Sequence, residues 1–156
     1  MSVGVVTNEW HLKRDAKHAG WFLSNQQACD FIEIVMAAIE FTDDLIDKDK
    51  TIDDDMIMRN MMALLIRLPN NDFFIENRQH MSVILIHTAN AFMDSEQLKT
   101  SKDERHQLLA FHLRNFALEL YQATAYCVGG WQHLRKVTVE MREFFALETF
   151  KEWSNA

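Results

Sequence analysis

Apolar positions along this chain recur at steps of three and four, over stretches long enough to be helices. Across residues 24–47, Phe31, Ile34, Val35, Ala38, Ile39, Thr42 and Leu45 form one buried stripe, with Ser24 as the N-cap. A second helix is expected from a Thr51 cap to Leu68, where Pro69 stops it. The third, capped by Asn71 or Asp72, runs to Ser95. Met81, Leu85, Thr88, Ala89 and Phe92 make one of its faces; Phe73, His80, Ile84, His87, Ala91 and Asp94 make the next. The run MSVILIHTANAF within it is apolar nearly all round, the pattern of a central helix. A capping box of Ser101 and Glu104 opens a fourth helix that runs to Cys127, with His112, Asn115 and Glu119 as its polar band. Gly129 or Gly130 ends it. The fifth, over residues 131–153, buries Leu134, Val137, Met141, Phe144, Phe145 and Phe150. Residues 1–20 carry no clear period and read as an N-terminal arm, extended at Val3–Val6 and pinned by Trp10 onto a bundle domain of residues 21–156.

Composition sharpens this pattern. Four Gly and one Pro among 156 residues are too few for the turns of a sandwich or barrel. The fold class expected is all-α, a single-domain antiparallel bundle of about five helices. No apolar run approaches the roughly 18 residues a membrane span needs, and the start lacks the order of a secretory signal, so no membrane association is expected. Cys29 and Cys127 have no CxxC spacing and read as small apolar residues in a reducing, cytoplasmic setting.

Charge is concentrated in one place. Residues 30–55 hold ten acids and two bases, while the other 130 residues hold 13 acids and 14 bases. An acidic chain with no basic patch is not expected to bind nucleic acid directly. Within the acidic block, Asp53–Asp55 fit the first turn of a helix, where negative charge is favoured. Glu40, Asp43, Asp44 and Asp47 crowd the end of a helix, where it is not. Some counter-charge must offset them: solvent, a neighbouring helix start, a basic partner or a metal.

Those four residues read ExxDDxxD, and four carboxylates on one helix side are a candidate Mg²⁺ or Mn²⁺ site. Asp43–Asp47, DDLID, is similar to the DDxxD motif of class I terpenoid synthases, which holds Mg²⁺ against a diphosphate. The resemblance covers five residues, and their second metal motif has no match here. The all-α nucleotide pyrophosphohydrolases resemble the chain in being small, helical and carboxylate-rich. Glu33, Glu40 and Asp47 recur every seven residues, as do His80, His87 and Asp94. In an up-down bundle these two stripes run parallel, which makes His80, His87 and Asp94 second candidate ligands.

Two functions follow as expectations. One is a non-enzymatic helical protein that acts through a protein partner or as a homo-oligomer, with residues 40–55 as an acidic recognition surface and no cofactor. The methionines 56, 58, 61 and 62 supply an adaptable apolar face for it. The other is an enzyme that processes phosphate or diphosphate with Mg²⁺ or Mn²⁺ on the ExxDDxxD cluster.

Overall fold

The computed structural model of the protein describes residues 8–48 and 50–154. Among these, every regular element is helical: α1 Asn8–Trp21, α2 Gln26–Asp47, α3 Asp54–Met62, α4 Asp72–Lys99, α5 Glu104–Leu113, α6 Leu118–Phe145 and α7 Phe150–Ser154. The fold is all-α, as the periodicity predicts. No helix of the described residues is long and apolar enough to cross a membrane.

The starts follow short polar side chains. Asn25 caps α2 by accepting from the Ala28 amide, Asp53 caps α3 through the Met56 amide, and Asn71 caps α4 through the Phe74 amide. Asn71 also donates to the Gln27 carbonyl, tying the α4 start to the α2 start. Lys48, at φ 56°, closes α2 in the left-handed region.

α2 and α4 run side by side in the same direction. Near their starts Phe31 packs on Phe73 and Phe74, with ring centroids 5.3 and 5.8 Å away. Near their ends Asp47 lies 3.9 Å from the Lys99 ammonium. The core between them and α6 holds Phe31, Ile32, Val35, Met81, Leu120, Tyr121 and Met141, with Trp21 and Phe22 from the end of α1.

Three local features depart from the sequence expectation. Residues 8–20, for which no helix was expected, form most of α1, whose Trp10 stacks on Phe144 at 5.3 Å; Val3–Val6 lie outside the described residues. α3 does not reach Leu68: it gives way to a π-turn, Ala63–Arg67, and a 3₁₀ turn, Leu68–Asn70, before α4. The helix expected to run unbroken to Cys127 parts at residues 114–117, where i→i+3 bonds such as Phe116 N–H to Leu113 O replace the α-helical ladder. That break turns the Arg114 side chain inward to pair with Glu148, and it is only 7% exposed. As expected, the helical course is broken at Gly129–Gly130: Gly130, at φ 70° and ψ -172°, leaves the helical region, so α6 is two helical stretches that meet at a kink.

Candidate functional site

α2 delivers the acidic residues to two different surroundings. Glu40 lies 3.9 Å from the Arg14 guanidinium of α1. Asp44 pairs with Lys50 at 2.8 Å, and Asp47 faces Lys99, which also holds Glu96 at 2.5 Å. Three of the four ExxDDxxD acids thus meet bases from this same chain, and these offset their crowding at a helix end. Asp43 differs. Its Oδ1 is buried and accepts no hydrogen bond, and so is Oε1 of Glu96 on the facing helix. Burial, then the neighbouring Asp47 charge, pushes the Asp43 carboxyl above the usual carboxylate range.

The second stripe does not join them. His80, His87 and Asp94 are exposed, and Asp94 accepts from Asn90 at 2.9 Å. This corrects the expected pairing of facing stripes. The parallel course of α2 and α4 holds, but the inward heptad on α4 is Met81, Thr88 and Ser95, one residue further on. The carboxylate that α4 does bring toward Asp43 is Glu96.

Asp43 and Glu40 stand on the wall of an open cleft of about 590 Å³ lined by α2, α4, α5, α6 and the 114–117 and 146–148 turns. Its lining is largely apolar, with Met36, Ile39, Phe92, Phe111 and Phe145. Two ion pairs edge it: Arg114 with Glu148, and Arg142 with Glu119 at 3.2 Å. The Tyr121 hydroxyl on the same wall is buried without a partner, and burial raises its pKa strongly.

A further group lies where α1 crosses α2. His18 is 2% exposed, and neither ring nitrogen makes a hydrogen bond. Its ring sits among Trp21, Phe22 and Tyr121, at centroid distances of 6.2, 5.4 and 5.8 Å. Burial, aided by the Arg14 charge, lowers its pKa to about 4, so the imidazole is neutral at pH 7. One ligand atom each from Asp15, His18 and Glu33 lie within 4.8 Å of one another. Partial burial and the nearby Asp15 and Asp30 hold the Glu33 carboxyl above its ordinary range. Of the described residues, this is the group with the spacing of a metal site, and sequence reading missed it. Its signal was present: Trp10, Arg14, His18 and Trp21 step by four, four and three, which places Asp15 and His18 one turn apart on a helix.

No protein-family model, curated protein or solved structure matches the chain.

Proposed function

We propose that this protein works by association rather than by catalysis, pairing with a second copy of itself through α3 and the π-turn, with the acidic end of α2 and the start of α3 as a recognition surface. One observation carries the reading. Neither α3 nor the π-turn has a buried residue, yet Ile57, Met58, Met61, Met62, Leu64, Leu65 and Ile66 are each 40–61% exposed.

A segment this short is marginal as a helix on its own, since isolated helices need about 12–15 residues. The Asp53 cap and the Asp55–Arg59 pair at 2.9 Å add roughly 1 kcal/mol together. Covering the exposed half of those seven side chains is worth on the order of 5–10 kcal/mol gross. Two copies across a two-fold axis double that, enough to meet an association cost of about 4–15 kcal/mol. Charge favours an antiparallel arrangement: Asp53, Asp54 and Asp55 sit at one end of the segment and Arg67 at the other, so each acidic turn meets its neighbour's basic end.

Light scattering across a range of micromolar concentrations tests this. The expected result is a dimer that Met61→Lys with Leu65→Lys converts to a folded monomer. A wild-type chain that stays monomeric throughout would sink the proposal.

A second reading is favoured by the unpartnered Asp43 oxygen on the cleft wall: a Mg²⁺- or Mn²⁺-dependent phosphate or diphosphate enzyme using Glu40, Asp43, Asp44 and Asp47. Millimolar Mg²⁺ would then raise Tm, and Asp43→Ala with Asp44→Ala would abolish the shift. No shift in the wild type removes this reading.

A further inference from the structure

The structure assigns a second kind of site to the α1–α2 crossing: Asp15, His18 and Glu33 form a binding site for a divalent first-row transition ion such as Zn²⁺. It is independent of the self-association surface and of the ExxDDxxD cluster.

The spacing comes first. Asp15 and His18 are one turn apart on α1, and Glu33 approaches from α2, so three donor atoms converge within 4.8 Å. An ion that binds nitrogen at about 2.0–2.1 Å and carboxylate oxygen at about 2.0–2.2 Å holds its donors some 3–4 Å apart, so this group needs only a small contraction. The second observation is the state of His18. A buried imidazole with both nitrogens unpaired leaves a donor and an acceptor unsatisfied, a cost folded proteins rarely leave standing. An ion on one nitrogen satisfies the acceptor. Charge points the same way, because two carboxylates held close together gain from a cation between them.

The donor set selects the ion class. One imidazole with two carboxylates suits zinc, iron, cobalt or manganese better than Mg²⁺ or Ca²⁺, which favour all-oxygen shells. Asp15 and Glu33 are both exposed, so the ion is closed by protein on the His18 side and open to water on the other. Three protein ligands with an open position is the arrangement of reactive rather than purely structural zinc. The competitor is Arg14, whose Nε donates to Asp15 Oδ1 at 3.1 Å and whose charge opposes a bound cation. It acts as a built-in brake on affinity.

Zn²⁺ is the probe for thermal melts, and Co²⁺ for visible absorption. Zn²⁺ at about a hundredfold over its Kd is expected to raise Tm by roughly 5–10 °C. Co²⁺ should develop the d–d bands of a low-coordinate nitrogen and oxygen site. Glu33→Gln, an exposed change that leaves the fold alone, should weaken both by tenfold or more. His18→Phe, which keeps the aromatic packing, should abolish them, and Arg14→Gln should tighten binding. The assignment is overturned if Zn²⁺ gives no shift. It is equally overturned if the shift survives both Glu33→Gln and His18→Phe, because surface histidines would then account for it. A Mg²⁺ shift equal to that of Zn²⁺ would also count against it.

Discussion

His18 is neutral and buried, and its pKa of about 4 lies below the 6.5 of an unfolded chain. The stability linked to it is therefore complete above pH 6.5 and is lost as pH falls toward 4, by about 3 kcal/mol in all. Arg14, Asp15, Glu33 and Tyr121 surround the ring, and the raised carboxyl of Glu33 acts in the opposite sense. The clean measurement is a difference: melts of the wild type and His18→Phe between pH 7 and 4.5, with the wild type losing ground as pH drops. A constant gap would contradict a buried neutral imidazole. Asp43 has the opposite sign. With its pKa raised, chiefly by burial, its contribution is greatest at low pH and is lost as pH rises through the folded value, while its buried Oδ1 accepts no hydrogen bond. Asp43→Asn should stabilise by about 1 kcal/mol at pH 7, and the gain should shrink on acidification. Unchanged or lower stability at pH 7 would show that the charge is well satisfied. The special status of these two residues was only partly legible. Crowding marked the α2 acids, but which of them pairs with a basic side chain depends on where Arg14, Lys50 and Lys99 land, and that is tertiary.

Elements were easier to read than their joints. The caps of α2 and α3 fell within two residues of expectation, and that of α4 on one of the two residues named, because an Asn or Asp just before a periodic run is a local signal. Of the two α4 faces named, that of Met81 and Thr88 is the buried one and that of His80, His87 and Asp94 is not; the two share a seven-residue step, and no local rule orders them. α1 was missed because its apolar positions are few and its stripe includes Arg14 and His18. The Gly pair was expected to end a helix, and Gly130 does leave the helical region there, so that two helical stretches meet at a kink. Gly130 holds φ 70°, where an L side chain is strained, and a Cβ on Gly129 would approach His133 Cβ to 2.6 Å. His133 in turn holds the Trp21 carbonyl through Nε2 at 2.8 Å. Gly130→Ala is expected to cost about 1–2 kcal/mol and Gly129→Ala roughly 1–3 kcal/mol, both read in denaturant melts. A neutral result at both positions would mean the kink is not fixed by these glycines.

At the scale of the whole molecule, one segment stands apart from the core. An aromatic cluster closes the interior between α1, α2 and α6, while the 54–67 segment, with no buried residue, and the outer stripe of α4, with Ile75, Ile86 and Met93, leave runs of large apolar groups in solvent; Leu12, Trp131 and Val139 are exposed singly elsewhere. The run around Met81 reads as central because it is apolar all round, yet half of that surface faces outward. An apolar stripe that faces no core calls for a partner, and a sequence cannot distinguish the two kinds of burial. The central claim is that α3 and the π-turn are held by a second copy. Amide hydrogen exchange over residues 54–67, measured at low and high protein concentration, tests it most directly. Protection there should be weak in dilute solution and rise with concentration in step with molecular mass, while α2 and α6 stay protected throughout. Protection of 54–67 that is strong in dilute solution and indifferent to concentration would contradict it.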